Sequence, residues 1–179
     1  MSTETKVYEN QPSFAVYRAN KDKNGAACRF TLAPAKENRG PSLFLDMAKQ
    51  TGEDENQNAS FGWRRWNKES RAWDNTDKCV SVKLGTADIG ELLAVISGRK
   101  DAAGSNGKSI FHTNDKGTST IDFKLYGKQN EPPTTFMLST SAKLNEGKEA
   151  VRISHSLSFA EGEALRVFLE RALVAVNNW

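Results

Sequence analysis

Residues 78–100 read KCVSVKLGTADIGELLAVISGRK, and this stretch joins a strand pattern to a helix pattern. In its first part apolar residues recur at every second position, which is typical of a strand with one buried face. The alternating residues are Val80, Val82 and Leu84. In its second part they recur at helical spacing, at Ile89, Leu92, Leu93 and Ile96. Thr86 is predicted as the helix N-cap, and Gly98 to Lys100 as the helix end.

Similar patterns lie on both sides of this unit. The other strand candidates are CRFTL (28–32), SLFLDMAK (42–49), SIFH (109–112), STIDFKLYG (119–127), TTFMLSTSAK (134–143) and AVRISHSL (150–157). A second helix follows them, with Ser158 and Glu161 as a capping box. Its apolar stripe consists of Leu165, Phe168, Leu169, Ala172, Leu173 and Val176. The sequence therefore predicts an α+β fold in which a unit of four strands and a helix occurs twice.

Length and composition indicate one domain. The chain has 179 residues, of which 37% are hydrophobic, enough for one sizeable core. We predict a flexible segment at residues 1–14 and a single domain at residues 15–179. Two cysteines, Cys28 and Cys79, do not make a disulfide framework, so we expect a reducing compartment. Without a signal-like start or a membrane-span pattern, the expected location is cytoplasmic or nucleoid-associated; a mature organellar protein also fits.

Sequence motifs for catalysis and metal binding are missing. His112 and His155 lie on strand candidates whose patterns turn them away from the apolar side, and neither has metal-ligand partners at close spacing. The sequence contains no phosphate-binding glycine loop after a strand and no nucleophile elbow. We therefore predict a binding protein rather than an enzyme, with no metal, cofactor, small-molecule substrate or membrane partner.

Aromatic and basic residues alternate in FGWRRWNKESRAW (61–73). Flat rings stack on unpaired bases while cations hold phosphates, a combination that favours single strands because a duplex hides its base faces. We predict a surface hairpin in which Trp63 is more core than contact, whereas Trp66 at the polar tip contacts a partner. Arg64, Arg65 and Lys68 are its predicted phosphate contacts.

Further cations and rings lie on the predicted outer faces of strands. These candidate nucleic-acid contacts are Arg29, Lys83, Phe111, His112, Lys116, Lys124 and Lys143. The net charge of +3 does not by itself indicate nucleic acid. Lined up on a sheet, however, these side chains would form a platform for a polyanion.

The order of several short motifs resembles the Whirly single-stranded DNA-binding proteins. The matching residues are Phe61-Gly62-Trp63, Ile89-Gly90, Phe111-His112, Lys116-Gly117, Phe136, Leu138, Ser139, Lys143-Leu144, Val151, Ile153, Ala160-Glu161 and Trp179. The resemblance implies two antiparallel four-stranded sheets packed roughly perpendicular, with helices that mediate a homotetramer. It also implies single-stranded DNA along the sheet edges, bound with little sequence preference.

One motif departs from the plant members of that family, which carry Lys-Gly-Lys-Ala-Ala-Leu on an early strand. The corresponding stretch is Asn24-Gly25-Ala26-Ala27-Cys28, without either motif lysine. Assembly beyond a tetramer is therefore not expected. Two alternatives to DNA binding stay open at this point: binding or annealing of RNA by the same fold, and a protein-protein interaction module whose hot spot is the aromatic hairpin.

Overall fold

The computed structural model describes residues 11–37, 39–53, 58–70, 72–115, 117–127, 131–144 and 149–178. The strands within these ranges are β1 Ser13–Arg18, β2 Ala26–Ala33, β3 Ser42–Glu53, β4 Ala59–Phe61, β5 Arg65–Asn67, β6 Ala72–Asp74, β7 Cys79–Leu84, β8 Ile110–Asn114, β9 Gly117–Tyr126, β10 Thr135–Leu144 and β11 Val151–Ser158. The helices are α1 Thr86–Ile96, a short 3-10 helix Ser105–Gly107 and α2 Phe159–Asn177. All seven strand candidates of the sequence are strands.

Sheet 1 is antiparallel and has the order β1-β2-β3, with two further strands on the free edge of β3. Residues Leu43–Ala48 of β3 pair with β7, and residues Gln50–Glu53 pair with β4, with a register shift between Gln50 and Gly52. The sheet therefore has five strands rather than the predicted four, because the twelve-residue β3 is long enough to hold two short strands end to end. β1 begins at Ser13, and residues 1–10 lie outside the described residues.

Sheet 2 is antiparallel, with the order β11-β10-β9-β8. Alternate residues of both sheets face one common core, as the period of two requires. The largest fully buried side chains are Phe30, Phe123, Leu43, Leu45, Met47, Leu84, Ile89, Leu92, Ile121, Leu138, Leu157 and Leu165. Strand β11 contacts β2, β3 and β7, so it crosses neighbouring strands of sheet 1 rather than running along one of them.

Both helices follow the last strand of a sheet and contact each other. At α2 the predicted capping box is confirmed: Ser158 Oγ accepts from the Glu161 N–H at 3.2 Å, and Glu161 Oε2 accepts from the Ser158 N–H at 2.8 Å. At α1 the predicted N-cap is wrong. Gly85 is the N-cap, and its N–H donates to Asp88 Oδ2 at 2.7 Å. Thr86 Oγ1 instead lies 2.9 Å from Asn177 Oδ1 and joins the two helices.

Neither described helix is long and apolar enough to span a membrane. The buried residues of α2 include Leu165, Leu169 and Ala172 of the predicted stripe, and Phe168, Leu173 and Val176 pack partly against the core. Val167 and Val174 lie on the opposite side of α2 and are about half exposed. The helix therefore buries one apolar face and leaves two valines in solvent.

Candidate nucleic-acid interface

The outer face of sheet 1 carries an aromatic cluster beside a cation. The register of β1 and β2 places Tyr17 next to Ala27 and Ala15 next to Arg29, on the face opposite the core. The β4 residue Phe61 and the following Trp63 fold onto this face. We call Tyr17, Arg29, Phe61 and Trp63 the stacking cluster.

Distances within the stacking cluster are those of packed aromatic rings. The Tyr17 ring centroid lies 5.5 Å from that of Phe61 and 6.2 Å from that of Trp63, and the Phe61 and Trp63 centroids are 6.5 Å apart. The Arg29 guanidinium carbon lies 4.5 Å from the centroid of the Trp63 ring, a cation-π contact. Tyr17 is 52% exposed, whereas Phe61 and Trp63 are partly buried. These rings thus form an open surface rather than a piece of core.

The backbone around Trp63 is held in place by close contacts. The Gly62 N–H donates to the Lys49 carbonyl at 2.9 Å, and a Cβ at Gly62 would lie 2.8 Å from Lys78 Cβ. Only glycine fits this approach without a shift. Asn75 Nδ2 donates to the Trp63 carbonyl at 2.9 Å. The ring of Trp63 is therefore presented by a fixed segment.

Arg29 is oriented by a carboxylate on the neighbouring strand. β2 and β3 pair Arg29 with Asp46, and Arg29 Nη2 lies 3.3 Å from Asp46 Oδ2. Asp46 is mostly buried and the Arg29 side chain is 36% exposed. The ion pair fixes the guanidinium over the Trp63 ring and offsets part of its charge. The Arg29 guanidinium thus has a fixed position, and its electrostatic attraction for a phosphate is reduced by Asp46.

Lys83 extends the same outer face at its β7 edge. It pairs with Phe44, which pairs in turn with Thr31 of β2, so it lies one cross-strand row away from Arg29. Its side chain is exposed, and no ion pair joins it to another described residue. The predicted outward orientation of Lys83 is confirmed.

A groove of about 470 Å³ separates β7 of sheet 1 from the near ends of β9, β10 and β11. Arg64 and Lys143 line it, as do the acidic residues Asp77 and Glu149. The groove joins the outer faces of the two sheets, but its two cations are balanced by two carboxylates. It offers a path for a chain rather than a strongly positive site.

The outer face of sheet 2 is mainly polar, with two exposed rings, Phe111 and Tyr126. Phe111 is 64% exposed and pairs with Thr120, which pairs with Ser141 of β10. Lys124 lies on this face as well, in a row with Met137 and Ser156. The predicted outward orientation of Phe111 and Lys124 is thus confirmed.

Both predicted histidine orientations are wrong. His112 shares the face of β8 with the buried Ile110, and its Nε2 lies 3.3 Å from Asp88 Oδ2 at the start of α1. His155 is only 3% exposed, between Ile153 and Leu157 on the inner face of β11. The alternation in SIFH and AVRISHSL puts each histidine in phase with its apolar neighbours, and this phase indicates the inner face.

The hairpin is confirmed, but its predicted tip is not. β5 and β6 pair Arg65 with Asp74 and Trp66 with Trp73, so Trp66 belongs to a strand. Its side chain and the whole of Lys116 lie outside the described residues. The turn begins at Lys68, and Asn67 Oδ1 accepts from the N–H groups of Glu69 and Ser70 at 2.9 and 3.1 Å. Arg65 and the turn at Lys68 thus belong to a separate two-stranded sheet, β5-β6, and not to sheet 1, which carries the stacking cluster.

Sequence reasoning missed Tyr17 and misplaced Trp63. Tyr17 was recognisable from SFAVYR, where Val16 points inward and Tyr17 outward. Trp63 was assigned mainly to the core, because tryptophan beside a strand is usually buried. It lies instead on the outer face, where Ala27 and Ala48 are paired and have only small side chains.

The thiols offer no nucleophile. Burial raises the pKa of Cys28 to about 12 and that of Cys79 to about 11, so both stay protonated near neutral pH. Among the described residues, no three His, Cys, Asp or Glu side chains come together in a group that could hold a metal ion. The chemistry available on these surfaces is therefore stacking, hydrogen bonding and charge.

Comparison with known proteins identifies the fold. No protein-family model and no curated protein matches the chain. Its structure is similar to WHY1 from Arabidopsis thaliana, with a TM-score of 0.62 at 14% identity over 95% of this chain and 93% of WHY1. It is similar to the plant transcriptional regulator PBF-2, with a TM-score of 0.63 at 13% identity over 96% of this chain and 85% of PBF-2.

A third similar structure is a guide-RNA-binding protein complex bound to a guide RNA. Here the TM-score is 0.58 at 20% identity, over 92% of this chain and 91% of the other. In all three cases nearly the whole chain is matched, including both sheets and the helix that follows each. The protein therefore has the Whirly fold, as the order of its short motifs predicted.

Proposed function

We propose that this protein binds single-stranded DNA with little sequence preference, and that it does so as a homo-oligomer, a homotetramer by the resemblance. The observation that carries the proposal is the stacking cluster: three rings on the outer face of a sheet, with the Arg29 guanidinium 4.5 Å from the Trp63 ring centroid. Single-stranded nucleic acid is the ligand class that presents both flat faces and negative charge along one chain.

Stacking supplies the larger share of the affinity in this proposal. Each stacked base contributes about 1–3 kcal/mol, and every base has a face to stack, so sequence hardly matters. Tyr17 is half exposed on sheet 1, and Phe111 is nearly two-thirds exposed on sheet 2. A strand that runs from one outer face to the other through the groove between the sheets would meet both rings.

Phosphate contacts supply the rest. Lys83, Lys124 and Lys143 are exposed, and Arg29 is partly neutralised by Asp46. If these four cations each contact one phosphate, log Kd changes with log salt by about 0.7 for each, or about 3 in total. Raising the salt from 50 to 200 mM would then weaken binding by about 50-fold.

The structural neighbours support the proposal in kind. One is a transcriptional regulator and one is a complex bound to guide RNA. Because the identities are low, the similarity supports the fold but not the ligand. The proposed ligand is therefore argued from the side chains of this chain. For the oligomer, the support is Val167 and Val174, two apolar side chains seven residues apart on the exposed side of α2.

The test is a titration of the purified protein into fluorescently labelled oligo(dT) at 50 and 200 mM salt, read by anisotropy. Duplex DNA and RNA of equal length are added as competitors, and light scattering gives the mass of the complex. We expect salt-sensitive binding that duplex DNA does not displace. Absence of binding at 50 mM salt would contradict the proposal and favour a protein partner for the aromatic surface.

RNA is the second candidate ligand, favoured by the similarity to the guide-RNA-binding complex. Stacking and phosphate contacts serve RNA as well as DNA, since only the 2′-hydroxyl distinguishes them. In the same titration, an RNA competitor that displaces oligo(dT) at lower concentration than unlabelled DNA would assign RNA as the preferred ligand.

A further inference from the structure

One half of the outer face of sheet 1 is covered by the chain itself. Ala27, Ala48 and Cys79 form a cross-strand row on this face, and all three are buried although the core lies on the other side. The backbone of Arg64 lies within hydrogen-bonding reach of Cys79, so the segment that follows Trp63 lies over this row. The stacking cluster therefore stands on top of the sheet, at one end of its outer face.

The other half of this face is open. Thr31 of β2, Phe44 of β3 and Lys83 of β7 form a cross-strand row there, four residues along β3 from Ala48. Phe44 is partly exposed and Lys83 is exposed, so no segment in the described part of the chain closes over them. The sequence analysis singled out Lys83 but not Phe44.

Phe44 is the side chain of this row that requires an explanation, because a phenylalanine in a strand usually belongs to a core. Phe44 lies outside the buried hydrophobic cluster, and it is not among the partly buried side chains that pack against that cluster. The rings of the stacking cluster contact one another and not Phe44. Within the described residues, the Phe44 ring thus has a partly exposed surface and no aromatic partner.

The charges beside Phe44 favour an anionic chain as the occupant of this surface. Lys83 is the direct cross-strand neighbour of Phe44, and no ion pair joins Lys83 to another described residue. The carboxylate closest along the same strand belongs to Asp46, which pairs with Arg29 at 3.3 Å. The open half of the face therefore places a cation beside a ring, the combination that single-stranded nucleic acid can use at each nucleotide.

The spacing between the two ring positions decides the conformation of a strand that uses both. Phe44 lies two residues along β3 from Asp46, whose partner Arg29 contacts the Trp63 ring. Two residues of a strand span about 6.8 Å. Stacked bases of one nucleic-acid strand are only about 3.4 Å apart. They also turn their faces toward each other and away from a protein ring, so bases can lie on Trp63 and Phe44 together only when they are unstacked from one another.

We propose, building on the function proposed above, that Phe44 stacks with a second base of the bound strand, next to the base on Trp63. Arg29 lies in the row between the two ring positions and contacts the phosphate that joins the two nucleotides. Lys83, beside Phe44, contacts the following phosphate. Sheet 1 thus binds an extended strand that runs along β3 with its neighbouring bases held apart.

The first test observes the Phe44 ring directly. The chain has nine phenylalanines, and replacing them with 4-fluorophenylalanine gives each a 19F signal; Phe44→Leu assigns the Phe44 signal by removing it. Oligo(dT) is added to saturation, and in parallel an abasic oligonucleotide of equal length, which brings phosphates but no bases. We expect the Phe44 signal to shift with oligo(dT) and to stay in place with the abasic strand.

A matched pair of variants tests the same contact by affinity. Phe44→Leu removes a ring from the outer face, whereas Phe14→Leu makes the same change on the core side of the same sheet, where Phe14 packs 6.3 Å from Phe30. Phe44→Leu should raise the Kd for oligo(dT) by about 3- to 10-fold. The slope of log Kd against log salt should not change, because the lost contact carries no charge. Phe14→Leu and Phe44→Tyr, which keeps a ring, should stay within twofold of wild type.

The extended conformation has its own measurement. The near-ultraviolet circular dichroism of oligo(dA) reports stacking between its adenines. Saturating wild-type protein should reduce this signal, and Phe44→Leu should reduce it less. An unchanged signal on saturation with wild type would show that the bases stay stacked and would contradict the proposal.

The remaining outcomes separate this inference from the proposed function. If oligo(dT) binds tightly while the Phe44 signal does not shift, or shifts equally with the abasic strand, the inference is wrong and the proposed function stands. The same conclusion follows if Phe44→Leu binds as tightly as wild type. A Phe44 signal that moves with protein concentration before any oligonucleotide is added would assign the ring to a contact between copies of the chain and overturn the inference. If no oligonucleotide binds the wild type, the proposed function fails, and the inference fails with it.

Discussion

Replacing Trp63 with alanine should weaken binding to oligo(dT) by about 5- to 30-fold. The Arg29 guanidinium lies over the Trp63 ring at 4.5 Å and the Tyr17 ring meets it nearly edge-on, at 86°. The ring thus has room for one base and not two. One stacked base contributes about 1–3 kcal/mol, and partial burial of the ring places it in the lower part, about 1–2 kcal/mol. Because 1.4 kcal/mol corresponds to a tenfold change in Kd, a loss of about 1–2 kcal/mol corresponds to about 5- to 30-fold.

The assay is the anisotropy titration with oligo(dT) at 50 mM salt, after a thermal melt has shown that the variant folds. Trp63→Phe retains a smaller ring and should lose about 2- to 4-fold in Kd, since stacking scales with ring area. Gly90→Ala is the control, because it lies on α1, has open space around it and is outside both sheets. A folded Trp63→Ala protein whose Kd lies within twofold of wild type would refute the role of the stacking cluster.

Three further changes follow from the packing and the charges. Gly162→Ala should lower the free energy of unfolding by about 1–3 kcal/mol, because the new Cβ would enter the Phe136 ring. Gly90→Ala has open space around the new Cβ and should raise the free energy of unfolding by about 0.5–1 kcal/mol. Urea melts measure both changes. Burial lowers the pKa of His155, so the unfolded state binds the proton more readily than the folded state. The neutral ring therefore contributes stability fully above about pH 6.5, and this contribution is lost as the pH falls below that value. Thermal melts from pH 8 to 5 should show the loss, and His155→Gln should flatten the dependence of the melting temperature on pH. Lys83→Ala should reduce the slope of log Kd against log salt by about 0.7, and an unchanged slope would remove this lysine from the phosphate contacts.

Local patterns were sufficient for the elements of the fold. Alternation in SLFLDMAK and STIDFKLYG determined both the strand and its buried face, because one side of each strand meets the core. Ser158 and Glu161 marked the start of α2 because a capping box is a local hydrogen-bond arrangement. Such features depend on residues within a few positions of each other.

The arrangement of the site depended on contacts between distant residues. Tyr17, Arg29 and Trp63 come together only through the registers of β1, β2 and β3 and the fold of the segment after β4. The pairing of β4 and β7 with one strand is likewise set by the length of β3. No period in the sequence encodes these distances, so the cations were predicted individually and the cluster was not.

Buried polar residues were the other source of error. His155 was predicted to face outward because the strand pattern around it was interpreted as turning it away from the apolar side. Its position in AVRISHSL is in phase with Ile153 and Leu157. The phase of a strand is a stronger indicator of orientation than the polarity of one residue.

The central claim is that a single strand lies across the outer faces of the two sheets. Photo-crosslinking with an oligonucleotide that carries 5-iodouracil at successive positions, followed by mass spectrometry of the peptides, locates the strand directly. We expect adducts at Tyr17, Trp63 and Phe111, three of the exposed or partly exposed rings of those faces. Adducts confined to α1 and α2 at saturating oligonucleotide would contradict it.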